Sequence, residues 1–381
     1  MAASTSASAT TSASTSTSTS SGLDGAVVAQ TRLSRVDGEA GRLTLAGFEL
    51  EDLAPKLGFE GVAALLWTDS VLAPAPLEAF VAELAGQRAL EPVTVDLLRR
   101  AAAREVAPID ALRLGVASLS LGPVSGPRLL AAVPTIVATY DRLRRGAEPL
   151  APDPALSLAA DFLRMATGTA PTPGQTRALD TYLSTIADHG LNASTFTARV
   201  VASTRAELGP AIEAAIAALG GPLHGGAPGP ALEALLELRE QPGDLEANTR
   251  TWATAQLAAG ERIMGFGHRV YRTRDPRADV LGAAAAQLLA GTGLYEDAQI
   301  HERAVLEVLR AHKPGRVLAT NVEFYTALLL HGLGFEPAVF TSIFAIGRTA
   351  GWIAHYEEQQ REGRLIRPRA AYVGARGRTL C

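Results

Sequence analysis

From residue 59 almost to the end, apolar side chains recur at three- and four-residue spacing. FEGVAALLWTD (59–69), PLEAFVAELAGQRAL (76–90) and VTVDLLRRAAARE (93–105) are examples. That spacing puts the apolar residues on one face of a helix and predicts amphipathic helices rather than strands. Short Pro/Gly breaks such as LAPAP and LGPVSGP separate the segments. The pattern continues over 127–145, 154–167, 174–187, 192–220, 229–241, 246–260, 277–291, 296–312, 322–332 and 337–360. Several of these segments are rich in Ala and Leu, strong helix formers. The expectation is a mainly α, multi-helical protein. No fixed-period repeat points to a solenoid. The strand signal is confined to AVVAQTRLSRVDGEAGRLTLA (26–46), read as a small hairpin or extended arm, and GRLIRPRAAYVG (363–374) closes the chain in extended form.

The 381 residues suffice for one large or two smaller domains. A formal net charge of -4 gives no case for a nucleic-acid surface. Cys381 is the one cysteine, which excludes an internal disulfide framework and a cysteine-rich metal site. Residues 2–21 contain only Ala, Ser and Thr and are expected to be disordered, because they cannot bury enough apolar surface to offset their ordering entropy. The tract lacks the charged and apolar regions of a secretory signal. The longest uncharged stretch beyond the N-terminal tract, Ala214–Leu232, is interrupted by glycines, prolines and a histidine, so no membrane span is expected and a cytoplasmic location follows.

No P-loop, Rossmann, zincin or nucleophile-elbow motif is present. What stands out is a small set of polar residues in unusual settings. His224 sits between glycines in GGPLHGGAPG, as a loop cap or as an accessible ligand-facing ring. His268 follows two glycines in MGFGHRVYRTRDPR, with Arg269, Arg272, Arg274 and Arg277 behind it. Those guanidinium groups form either a solvated loop or a site for carboxylates and phosphates. His189, in ADHGLNASTFTARV, precedes a helix that Asn192 or Ser194 is placed to cap. Glu323, in TNVEFYTALLL, is either a helix N-terminal charge or a general base. Arg348 lies inside an apolar helix, FAIGRTAGWIAH, and needs a partner or an anionic ligand. His301, His312, His331 and His355 read as ordinary surface or core residues.

Taken together, six stretches resemble the citrate synthase family. They are DHGLNASTFTARVVAST (188–204), GGPLHGGAPGPALE (220–233), IMGFGHRVYRTRDPRADVL (263–281), NVEFYTALLLHGLG (321–334), FTSIFAIGRTAGWIAHYEEQ (340–359) and IRPRAAYVG (366–374). The similarity runs from GLDG at 22 to near the C-terminus. It implies a large helical domain (22–227 and 329–381) with a small one (228–328) inserted, assembled as a homodimer. The implied reaction condenses acetyl-CoA with oxaloacetate and hydrolyses the thioester, with CoA as part of a substrate and no metal or separate cofactor. By the resemblance, Glu323 removes the α-proton, His224 hydrogen-bonds the thioester oxygen, and His268 polarises the ketone. His189, Arg277, Arg348 and, across the subunit interface, Arg367 hold the oxo acid. Arg272, the loop Met264, Gly265, Phe266 and Gly267, and Arg369 meet CoA. The alternatives are a 2-methylcitrate synthase using propionyl-CoA and, more remotely, a non-catalytic CoA- or dicarboxylate-binding paralogue.

The sequence departs from the family at one catalytic position, where Glu323 stands in place of the usual aspartate of NVDFY. The extra methylene moves the carboxylate by roughly an ångström, a displacement that can cost about a hundredfold in rate. The expectation is a backbone set back to compensate, with activity preserved; the alternatives are a pocket for a different acyl-CoA or oxo acid and a weakly active paralogue.

Overall fold

The computed structural model describes residues 21–379 apart from 24, 226, 227 and 316. The expectation of disorder over 2–21 therefore concerns residues outside this range, save Ser21, which opens a 3-10 turn to Leu23. Residues Met1–Gln30 form one unit and Thr31–Cys381 another. All that follows concerns the second.

It begins with a three-stranded antiparallel sheet: β1 (Ser34–Asp37), β2 (Arg42–Leu45) and β3 (Phe48–Glu49). Ser34 pairs with Leu45 and Val36 with Leu43. Leu43 and Leu45 alternate into the core and are fully buried, which anchors β2.

Sixteen helices follow among the described residues: α1 (Leu50–Leu57), α2 (Phe59–Thr68), α3 (Pro74–Gly86), α4 (Pro92–Ala102), α5 (Pro108–Leu119), α6 (Gly126–Arg144), α7 (Leu158–Thr167), α8 (Pro173–Ile186), α9 (Ala193–Ser203), α10 (Leu208–Leu219), α11 (Pro228–Glu240), α12 (Leu245–Ala258), α13 (Pro276–Leu288), α14 (Leu294–His312), α15 (Val322–Gly332) and α16 (Pro337–Glu362). The mainly α expectation holds. Two helices were not foreseen, α1 and α5. The single segment read over 192–220 is two helices, broken where Arg205 takes a left-handed φ of 66°. No single helix among the described residues is long and apolar enough to cross a membrane.

The helix starts follow local chemistry. Proline occupies the first turn of α3, α4, α5, α6, α8, α13 and α16, where its missing N–H costs nothing. Thr172 and Gln175 close a capping box on α8. Asn192, Asp275 and Asn321 cap α9, α13 and α15 through their side chains. These three caps place the site residues described below.

The 26-residue α16 runs through the main core and packs on α2, α5, α6, α8, α9 and α10. Its glycines let it approach α8 closely. A Cβ on Gly351 would stand 2.2 Å from the Ala187 carbonyl oxygen, and one on Gly347 would stand 2.6 Å from the Ile186 side chain. A second, smaller apolar core joins α12 and α14 through Ala253, Leu257, Ile263, Val305 and Leu309.

Candidate active site

The close approach of α16 to α8 puts Arg348 at the end of α8, where its Nε donates to the Ile186 carbonyl at 2.7 Å. Its guanidinium lies over the Phe344 ring, 4.7 Å from the centroid. The partner expected for this buried arginine is thus a carbonyl and an aromatic face rather than a direct ion pair. Burial, then the neighbouring Arg277 charge, lowers its pKa to about 10 against the pull of Asp188, so it stays cationic at neutral pH.

His189 follows directly in the 187–192 turn. Its Nε2 lies 3.1 Å from the Tyr271 hydroxyl. Its ring centroid is 5.6 Å from that of His268. Burial, then Arg277, Arg348 and His268, pushes its pKa well below the usual value, so the ring is neutral.

The glycines of GFGH meet a backbone requirement. Gly265 and Gly267 sit at φ of 86° and 84°, a left-handed region that favours glycine. The loop is zipped to the segment before α15. Gly267 N–H donates to the Ala319 carbonyl at 2.7 Å, Asn321 N–H to Gly265 at 3.0 Å, and the Asn321 amide to Gly267 at 2.7 Å. His268 emerges from this loop with Nδ1 accepting the N–H groups of Val270 and Tyr271, both at 3.1 Å. Its proton is therefore on Nε2. Burial and then Arg277 lower its pKa to about 4.

Asp275 precedes α13 and holds Arg277. It accepts Arg277 Nε at 3.0 Å and an Arg277 amino nitrogen at 2.8 Å. The same carboxylate accepts Val322 N–H at 3.1 Å, tying this arginine to the residue before Glu323. Burial raises the pKa of Asp275, but Arg277 outweighs it and holds the group ionised.

Glu323 lies in the first turn of α15, its N–H donated to the Asn321 cap at 3.0 Å. Burial pushes its pKa up to about 7, against the pull of Arg277 and with help from Asp275. That is the range of a general base working near neutrality.

His224, after α10, is half-buried, and its Nε2 lies 2.9 Å from Ser194 Oγ. Burial, then Arg348, lowers its pKa to about 4. Ser194 has one proton and three neighbours: His224, Asn192 Oδ1 at 2.8 Å and the Trp352 Nε1–H at 3.2 Å. Asn192 Oδ1 is oriented by its cap bond from Thr195 N–H at 3.1 Å. The serine proton therefore goes either to Asn192 or to His224 Nε2.

The structure brings His189, His224, His268, Arg277, Glu323 and Arg348 into one electrostatically coupled group. Arg272 has an exposed side chain, and Arg367 and Arg369 lie exposed on the extended tail. Met264 is half-buried and lines a cavity of about 210 Å³ with Trp252, Arg262 and His301. Tyr271, Asp275, Ser194 and Asn321 were missed as site residues. The Asp-Pro and Asn-x-Glu cap patterns carried a signal for two of them. Nothing local marked Tyr271 or Ser194.

A mainly α fold that gathers a carboxylate of raised pKa, histidines of lowered pKa and two buried arginines has the groups that proton transfer beside an anion requires. The comparisons narrow this. Residues 22–369 match the family model described as citrate synthase, C-terminal domain. A citrate synthase of Haloferax volcanii is 39% identical, with 93% of this chain and 95% of that protein covered. A 2-methylcitrate synthase of Mycobacterium tuberculosis is 36% identical, covering 94% and 91%. The structure of a ternary complex of carboxymethyl coenzyme A and oxaloacetate with the Thermoplasma acidophilum citrate synthase superposes with a TM-score of 0.85 at 28% identity, covering 94% and 97%. The chain belongs to the citrate synthase family, and it is an enzyme of the transferase class.

Proposed function

We propose that the chain condenses acetyl-CoA with oxaloacetate and water to give citrate and CoA, with the residue roles that the resemblance implies. The observation that carries the reading is Glu323, a half-buried carboxylate with its pKa raised to about 7, in a group with Arg277 and His268. Glu323 takes a proton from the acetyl methyl group. The enol(ate) oxygen is stabilised by His224, which becomes a donor on Nδ1 when Ser194 turns its proton to Nε2. Each such electrostatic or acid–base contribution is worth about two to four orders of magnitude at most. The nucleophilic carbon adds to the ketone of oxaloacetate, polarised by the Nε2–H of His268, which supplies the proton to the new alkoxide. Water then cleaves the thioester and releases CoA.

Arg277 and Arg348 pair with the carboxylates of the oxo acid, and His189 donates to it. Arg367 joins them from a second subunit of a homodimer, a role supported by its exposed place on the tail. Arg272, Arg369 and the 264–267 loop meet CoA, and the cavity beside Met264 supports that placement. The separate small core of α12 and α14 supports a small domain over 228–328, inserted in a large one formed by 22–227 and 329–381. A cytoplasmic location completes the reading.

The 2-methylcitrate synthase of M. tuberculosis among the relatives keeps propionyl-CoA as the second substrate to test. One methyl group in an apolar pocket discriminates by only about 1–3 kcal/mol. The test follows oxaloacetate-dependent thiol release from both thioesters. A higher kcat/KM with acetyl-CoA supports citrate synthesis. A preference for propionyl-CoA moves the assignment to methylcitrate, and release with neither defeats the reading.

A further inference from the structure

The β1–β2 hairpin reaches both loops that carry the oxo-acid histidines. On the first loop, Ser34 Oγ donates to Asp188 Oδ2 and accepts Gly190 N–H at 2.8 Å. One hydroxyl thus grips the residues on either side of His189. At the far end of β1, the Gly38 carbonyl accepts Arg272 N–H at 2.8 Å, one residue beyond Tyr271.

The turn is built for close backbone approach. A Cβ on Gly38 would stand 2.3 Å from the Val270 carbonyl oxygen. One on Gly41, whose φ is 65°, would stand 2.4 Å from Thr273 Oγ1. The hairpin itself cannot slide. Its register is locked by the Ser34–Leu45 and Val36–Leu43 pairs, and the buried Leu43 and Leu45 fix β2 in the core.

We propose that this hairpin sets the spacing between His189 and His268, and that Ser34 is a positioning residue for the oxo acid. The inference rests on the reading above that both histidines face that substrate. His224 and the Glu323 backbone are held instead by Ser194 and the Asn321 cap, from other elements. Ser34 bonds the residues flanking His189 and neither His224 nor Glu323, so loss of its clip acts first on the oxo-acid side. Asp188 keeps a second partner in that event, His355 of α16 at 3.2 Å, so the core around it survives the change.

The test compares wild type with Ser34→Ala, Ser34→Thr and the wedge Gly38→Ala, after thermal melts show each is folded. Oxaloacetate binding is read by titration calorimetry, with steady-state kinetics alongside. Ser34→Ala is expected to weaken oxaloacetate binding and raise its KM about tenfold, the effect of one net hydrogen bond. The KM for acetyl-CoA at saturating oxaloacetate and kcat stay within about twofold. Ser34→Thr, which keeps the hydroxyl, restores most of the loss, and Gly38→Ala weakens oxaloacetate binding and, because the Gly38 carbonyl also holds the Arg272 N–H, raises the acetyl-CoA KM with it.

A folded Ser34→Ala that binds oxaloacetate as wild type does, or that raises both KM values together, overturns the proposal. Wild type that binds oxaloacetate but releases no thiol defeats the functional reading instead, and the binding ratio still decides the hairpin's role. Wild type that binds no oxaloacetate overturns both.

Discussion

The Nε2 of His268 faces an amino nitrogen of Arg277 at 3.4 Å. Because His268 Nδ1 already accepts two backbone N–H groups, both of these nitrogens are donors. Two donors converging from one loop and one helix suit an oxygen that carries, or gains, negative charge. Asp275 holds Arg277 in that pose through both carboxylate oxygens. Replacing Arg277 by Lys keeps the charge but loses the planar fork. Arg277→Lys is expected to raise the oxaloacetate KM about 10–100-fold, the range for charge-assisted hydrogen bonds. Steady-state kinetics with oxaloacetate varied would show it, and an unchanged KM would remove Arg277 from the oxo-acid site.

The pH profile follows from Glu323. A base must be ionised, and its pKa is raised to about 7, first by burial. The kcat/KM for acetyl-CoA is expected to fall about tenfold per pH unit below 7 and to level off above it. His224 and His268, both at about 4, stay neutral across that range and add no second limb. A profile flat from pH 5 to 8 would contradict this assignment of the base.

The same carboxylate affects stability with a definite sign. Its pKa is raised in the fold from an ordinary value of 4.5 to about 7. The folded state therefore favours the neutral acid, and stability contributed by that preference is lost as pH rises through this window. Glu323→Gln is expected to melt higher than wild type at pH 8, with the gap closing towards pH 4. Calorimetric melts at the two pH values measure it, and a variant less stable than wild type at pH 8 would reverse the sign.

The buried pair Arg199–Glu358, at 2.5 Å with both side chains 4% exposed, joins α9 to α16. Arg199 also bonds His355 Nδ1 at 3.0 Å, and His355 reaches Asp188 beside His189. Removing one partner leaves an uncompensated buried charge. Arg199→Met is expected to cost about 3–5 kcal/mol of stability. Denaturant unfolding would measure the loss, and a cost under about 1 kcal/mol would show the pair to be dispensable.

The sequence made some of this legible and hid the rest for physical reasons. His189, His268 and Glu323 stand beside glycines or caps, and such punctuation is visible along one chain. The rest of the site depends on residues distant in sequence. Ser194 and His224 meet across 30 positions, and His189 and Tyr271 across 82. No local pattern carries such a pairing.

Helix α1 was missed because it is only eight residues long and contains Pro55. Helix α5 was missed because Gly115 and Ser118 dilute its pattern. That glycine is a packing requirement, since a Cβ there would stand 2.5 Å from Ile136. Arg348 was expected to find a partner. It found one in a backbone carbonyl, made reachable by two glycines that bring α16 against α8.

The central claim is that Glu323 removes the proton that starts the reaction. The most direct measurement compares oxaloacetate-dependent thiol release from acetyl-CoA by wild type, Glu323→Gln and Glu323→Asp, with oxaloacetate binding confirmed for each. The account predicts a loss of about two to four orders of magnitude in kcat for Glu323→Gln with binding intact. It predicts a loss of up to about a hundredfold for Glu323→Asp, whose carboxylate falls roughly an ångström short. A Gln variant as fast as wild type, or an Asp variant faster by orders of magnitude, would contradict it.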